Sequence, residues 1–136
     1  MEKITKFCLN LRKLYISIQS DELETLKMIL NNCQYLESIE IWGRYSDLKE
    51  LFEIFTKYSP KNFHELTLNS LNMPSKKDLE EFFINWNNRR SLSFIVFMDY
   101  SLRDNNNYEI MKVIEVIEKY KKLGIIKKFE TSKHWY

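Results

Sequence analysis

The sequence predicts an α/β chain built from one strand–helix unit repeated in tandem. Two observations carry that expectation. The first is a short apolar phrase that recurs along the 136 residues. Leu11-Arg12-Lys13-Leu14-Tyr15-Ile16 returns as Leu36-Glu37-Ser38-Ile39-Glu40-Ile41, then as Phe63-His64-Glu65-Leu66-Thr67-Leu68 and as Leu92-Ser93-Phe94-Ile95-Val96-Phe97. All copies read apolar-x-x-apolar-x-apolar, and their first residues lie 25, 27 and 29 positions apart. The second is the switch of hydrophobic period between copies, from two-residue alternation to three- and four-residue spacing, which alternates strands with helices.

Self-similarity at this interval with this pattern is the mark of a leucine-rich repeat, and one repeat cannot bury its own apolar face. The expected architecture is therefore a right-handed βα solenoid in a single domain, 1–136, with parallel strands on a concave face and helices on the convex one. Strands are expected near 13–18, 38–42, 65–69 and 94–98. Ile126-Lys127-Lys128-Phe129-Glu130-Thr131 reads as either a fifth strand near 127–131 or a terminal cap, its spacing of 34 and its Thr in a core slot setting it apart.

Each connecting segment reads as a helix. From Ser20 to Asn31, Leu23, Leu26, Ile29 and Leu30 form one stripe, and Ser20 with Asp21 and Glu22 supplies an oxygen cap and first-turn acid. Ser46-Asp47 opens the second helix, with Leu48, Leu51, Phe52 and Phe55. Pro74-Ser75 opens the third, with Leu79, Phe82, Phe83 and Trp86. The fourth is expected over Tyr108–Leu123, with Ile110, Val113, Ile114, Ile117 and Tyr120 on one face and Gly124 ending it. In the first strand, Leu14 and Ile16 are expected to point to the core and Lys13, Tyr15 and Ser17 away from it.

Composition narrows the function classes. The net charge of +2 is too small and too dispersed for a nucleic-acid domain; from Asn107 onward seven Lys face four Glu. No stretch approaches the ~18 apolar residues of a membrane helix. The start, Met1-Glu2-Lys3-Ile4-Thr5-Lys6, lacks a signal-peptide pattern. With two cysteines, Cys8 and Cys33, the expectation is a cytoplasmic or nuclear protein whose cysteines are buried free thiols in a shared repeat slot, the slot that later holds Pro60 and Arg89.

Chemistry-bearing motifs are missing from the sequence. His64 and His134 are isolated, so no metal site is expected. Two glycines cannot build a phosphate-cradling loop, and Glu22, Glu24, Glu80 and Glu81 read as solvated helix faces, so neither enzyme activity nor a cofactor is expected. The polar run Arg103-Asp104-Asn105-Asn106-Asn107 reads as a connector. What remains is the outward face of the strands: Lys13, Tyr15 and Ser17; Ser38, Glu40 and Trp42; Glu65, Thr67 and Asn69; Phe94, Val96 and Met98. The expected protein-binding set is Lys13, Tyr15, Glu40, Trp42, Glu65, Asn69, Phe94 and Met98, with Trp42 and Phe94 either exposed or packed under flanking loops or against helices.

Cys-Leu-Asn-Leu-Arg-Lys-Leu at 8–14 and Asn-Cys-Gln-Tyr-Leu-Glu-Ser-Ile at 32–39 resemble the leucine-rich repeats of F-box proteins. The run from Glu50 to Phe55 and that from Lys57 to Phe63 resemble large fungal families of such proteins. The resemblance implies a substrate-recognition region of a ubiquitin-ligase adaptor. It also implies docking on a Skp-type adaptor through a separate F-box of ~40 residues, for which nothing before Leu11 leaves room. No ligase-docking residue is carried over. The Skp-type partner is thus expected only with an F-box upstream, and the alternative is a truncated or structural repeat fragment with no ligase role. Because Ile4, Phe7 and Leu9 offer no polar helix over the first repeat, self-association through uncapped ends is a further expectation.

Overall fold

A computed structural model describes residues 10–43, 48–70, 74–98 and 107–133. Strands and helices alternate in the order β1 (Lys13–Ser17), α1 (Leu23–Asn32), β2 (Ser38–Trp42), α2 (Leu48–Tyr58), β3 (Glu65–Ser70), α3 (Lys76–Asn85), β4 (Leu92–Met98), α4 (Asn107–Lys122) and β5 (Ile126–Lys133). The five strands form one parallel sheet in sequence order, β1 to β5. A crossover that always steps to the next strand with the same hand returns every helix to the same side. The helices accordingly contact one another in chain order, α1 on α2, α2 on α3 and α3 on α4. The result is two layers, a sheet and a row of helices, with the core between them.

The register explains how the repeated phrase builds that core. Leu14, Ile39 and Leu66 lie side by side across β1, β2 and β3, and Ile16, Ile41 and Leu68 form the next row. Leu26, Ile29 and Leu30 of α1, Leu51, Phe52 and Phe55 of α2, and Leu79, Phe82 and Phe83 of α3 close over these rows, all buried. Burying each such side chain is worth about 1.5–3 kcal/mol. Phe52 stacks on Phe82 with centroids 4.7 Å apart, so α2 and α3 are joined ring to ring.

In β4 the sequence expectation is corrected. The register aligns Leu66 with Phe94 and Leu68 with Val96, so the inward residues are Leu92, Phe94 and Val96, all fully buried. The copy reads apolar-x-apolar-x-apolar, one residue out of phase with the others. Because side chains alternate with period two, this slip reverses the face of every residue in the strand. Phe94 and Val96 therefore belong to the core. Phe94 sits among the rings of Phe52, Phe82, Phe83 and Phe129, with centroids 5.8–6.3 Å away.

Other details also depart from expectation. α1 is preceded by a 3-10 turn at Ser20–Glu22, and the Glu22 carboxylate accepts the Gln19 backbone N–H at 2.9 Å. α4 buries Val113, Val116, Ile117 and Tyr120, whereas Ile114 faces outward at 43% exposure. Cys33 is buried at the C-cap of α1, where its N–H bonds the Ile29 carbonyl at 2.9 Å, but it is disulfide-bonded rather than free. The free-thiol expectation, which followed from the expected reducing compartment, is overturned for Cys33. Arg89 does not share the packing role of Cys33. Its guanidinium lies 4.9 Å over the Trp86 ring and donates to the carbonyls of Thr56 and Ser59 at 2.6 and 3.1 Å, capping α2 from the following repeat. Burial holds its pKa below the usual guanidinium value.

β5 pairs in parallel with β4 along its whole length, with one bulge between Leu92 and Ser93 that leaves Lys127 without a counterpart. Gly124 adopts φ +81° after α4, and the bonds Gly124 N–H to Lys121 and Ile125 N–H to Tyr120 turn the chain into the strand. Thr131 takes the slot beside Val96, and its buried hydroxyl has no partner among the described residues. Ile4, Phe7, Cys8, Leu9, Ser46, Asp47, residues 103–106 and His134 lie outside the described residues.

Candidate functional site

The sheet face turned away from the helices is laid out in rows by the same register. One row runs Lys13, Ser38, Glu65, Ser93 and Lys128; the next runs Tyr15, Glu40, Thr67, Ile95 and Glu130. The third begins Ser17, Trp42, Asn69 and Phe97. Short polar members sink into this surface: Ser38, Thr67, Asn69 and Ser93 are buried. Tyr15 and Trp42 stay exposed at 65% and 37%.

Glu40 organises this surface. Its Oε2 accepts the Trp42 indole N–H at 2.7 Å and the Asn69 side-chain N–H at 3.3 Å. The Tyr15 and Trp42 rings lie 5.7 Å apart, tilted by 34°. The Tyr15 phenol is held above its ordinary pKa, first by desolvation, then by the negative charge of Glu40 and a hydrogen bond to it. One carboxylate on β2 thus holds side chains from β2 and β3, and its charge acts on Tyr15 of β1. Glu65 is similarly held, accepting the Ser38 hydroxyl at 2.7 Å. Such locking reduces the rotamer freedom that a binding surface would lose on contact.

The backbone beneath is equally determined. After Trp42 the chain turns at Gly43, with φ +151°, and passes so close to Ile18 that an added Cβ would lie 1.9 Å from the Ile18 carbonyl oxygen. The Ile18 N–H bonds the Trp42 carbonyl at 2.9 Å, pinning the ends of β1 and β2 together directly beside the aromatic pair.

Of the expected binding residues, Lys13, Tyr15, Glu40, Trp42, Glu65 and Asn69 fall on this one face, and the first four lie on the adjacent strands β1 and β2. Phe94 does not; it is in the core. For Met98 the backbone alone is described, paired with Ser70. The β4 residues that do reach this face are Ser93, Ile95 and Phe97. The alternation Leu92, Phe94, Val96 was the signal that could have revealed them. Among the described residues no cluster of His, Cys, Asp or Glu could hold a metal ion. No described helix is long and apolar enough to cross a membrane.

No family model, no curated protein and no solved structure matches the chain.

Proposed function

We propose that the chain is a protein-interaction module of the leucine-rich-repeat kind, binding its partner on the helix-free face of the sheet. The observation that carries this reading is the preset Tyr15–Trp42 pair, joined through Glu40 to Asn69 on the third strand. Exposed aromatic side chains held rigid by hydrogen bonds are the usual anchors of interfaces. The stepwise strand order and the equivalent core rows support the repeat reading. Within this reading the partner is a substrate brought to a ubiquitin ligase, the role implied by the likeness of the Cys8–Leu14 and Asn32–Ile39 phrases to F-box protein repeats.

Proximity labelling in cells tests both levels. The wild-type chain is compared with a Tyr15→Ala/Trp42→Ala variant, each with and without inhibition of cullin ligases. Loss of specific neighbours in the variant supports the binding face, and an unchanged set refutes it. Neighbours that accumulate when the ligase is inhibited support the substrate role. If the face-dependent neighbours are indifferent to inhibition, the ligase assignment falls and the binding module stands.

A second reading, self-association end to end, is favoured by the graded burial at β1. Leu14 and Ile16 are only partly buried, whereas their counterparts Ile39, Leu66, Ile41 and Leu68 are fully so. A sedimentation series over a hundredfold concentration range should show mass action if that edge pairs between copies.

A further inference from the structure

The electrostatics of the same face identify what it would take, an inference that rests on the binding-face reading above. Glu40 and Glu65 are partly buried, and the donors that hold them are neutral: the Trp42 indole, the Asn69 amide and the Ser38 hydroxyl. Neither carboxylate forms an ion pair among the described residues. Lys13 and Lys128 share the row of Glu65 but stand two strands away on either side, separated from it by Ser38 and Ser93. That is roughly 10 Å at the usual strand spacing. Lys128 is in addition engaged by Glu130 at 3.0 Å.

The two partly buried carboxylates therefore have no ion-pair partner among the described residues, although the exposed Lys13 stands diagonal to Glu40 on the adjacent strand. The rings of Tyr15 and Trp42 lie exposed beside Glu40. A carboxylate in that setting gains most from an incoming cation, and a ring face attracts the same species through its quadrupole. Arginine fits both at once, since its guanidinium stacks flat on an aromatic ring and pairs with a carboxylate through a planar fork. Spacing sets the second requirement. Glu40 and Glu65 sit on neighbouring strands, two residues apart along the register, which places their backbones about 8 Å apart. Alternate residues of an extended peptide are about 7 Å apart on one side.

We propose that this face binds an extended basic segment of a partner protein, carrying cationic side chains at alternate positions. One guanidinium lies on the Tyr15–Trp42 pair beside Glu40, and the next pairs with Glu65.

The probe is the peptide Ac-Gly-Arg-Ala-Arg-Gly-amide, titrated into the full chain while the Trp42 indole N–H is followed by NMR. A Trp42→Phe variant assigns that resonance among the three tryptophans. A saturable shift is expected, weakened at least tenfold when citrulline, neutral and nearly isosteric, replaces both arginines. Glu40→Gln and Glu65→Gln should each weaken it about fivefold, and added salt should weaken it further. Equal binding of the citrulline peptide, or stronger binding of Ac-Gly-Glu-Ala-Glu-Gly-amide, overturns the proposal. So does an arginine peptide that leaves the resonance unmoved. If the labelled neighbours still depend on Tyr15 and Trp42 in that last case, the face binds through other chemistry and only the cation assignment is lost. If they do not, both readings fail.

Discussion

Replacing Phe94 and, separately, Ile95 by alanine measures the register of the fourth strand. The two residues are adjacent in sequence, yet Phe94 is fully buried and Ile95 lies partly exposed on the opposite face. Truncating Phe94 empties a space bounded by four rings, those of Phe52, Phe82, Phe83 and Phe129. Loss of a buried Phe side chain costs about 3–5 kcal/mol, through lost transfer energy and the cavity left behind. The site has little scope to collapse, because those rings are carried by three different elements and themselves stack against one another. The cost should sit in the upper half of that range. For a chain of this length each kcal/mol lowers the melting temperature by about 3–5 °C, so Phe94→Ala should melt at least 10 °C below the wild type.

Ile95→Ala removes contacts on a half-exposed face and should cost under about 1.5 kcal/mol, or a few degrees. Thermal unfolding followed by circular dichroism separates these outcomes. The comparison is internal, so it does not depend on the absolute stability of the chain. If Ile95→Ala proves as destabilising as Phe94→Ala, or more so, the pairing of Leu66 with Phe94 is wrong and β4 is shifted by one residue against β3. Ser93, Ile95 and Phe97 would then leave the candidate binding face and the sequence-based set Phe94, Val96 and Met98 would return to it.

Other outcomes follow from single contacts. Gly43→Ala must push its Cβ against the Ile18 carbonyl and hold an L-residue at φ +151°, so a loss of roughly 2–5 kcal/mol is expected in urea titration. A midpoint within error of wild type would contradict the close approach. Arg89→Ala should lower stability by about 1–3 kcal/mol by uncovering Trp86 and freeing the Thr56 and Ser59 carbonyls. Arg89→Lys should recover only part of it, because an ammonium cannot reach both carbonyls while stacking. The Tyr15 phenol should titrate above pH 10 in carbon-detected NMR, and Glu40→Gln should bring it down. Its raised pKa favours the fold below pH 10, and that contribution disappears as the phenol ionises at higher pH. Reduction of the disulfide at Cys33 should lower the melting temperature, disulfides in small domains contributing about 2–4 kcal/mol; an unchanged melt would mean the thiol is free in solution.

The parts of the fold that were legible in the sequence are those written by periodicity. Leu14, Ile39 and Leu66 recur at equivalent points of their phrases, and a parallel sheet aligns equivalent points. Phe94 was misread because the fourth phrase is apolar on both faces: Leu92, Phe94, Ile95, Val96 and Phe97 satisfy two registers equally well. Only the competition between the aromatic cluster and the helix-free face decides between them, and that is a tertiary contest. Ile114 and Val116 were exchanged for a similar reason, since α4 offers more apolar residues than one stripe can hold. The disulfide at Cys33 was outside the reach of composition, because bonding depends on distance in space. The binding set was partly legible: alternation placed Tyr15, Glu40 and Trp42 on one side. It could not show that one carboxylate ties the Trp42 and Asn69 side chains together, which depends on strand adjacency.

The alternation of β2 also separates the scaffold from the proposed recognition surface. The inward residues of β2, Ile39 and Ile41, are fully buried and tolerate little change. The outward residues of the same strand, Glu40 and Trp42, contribute little to the core, so changes there alter the surface at small energetic cost. A strand whose alternate residues answer to different demands can keep one set constant while the other varies. The four phrases behave in this way. Leu14, Ile39 and Leu66 are interchangeable aliphatics, whereas Tyr15, Glu40, Thr67 and Ile95, which share one row of the outer face, have almost nothing chemically in common. The fourth and fifth members of the inner row, Phe94 and Phe129, are still apolar, while the outer row is free to vary because changes there cost little. Variation alone therefore does not argue for binding; the proposal rests on the preset Tyr15–Trp42 pair, and Glu40, which holds Trp42 and Asn69 in place, is the residue at which it is most directly challenged.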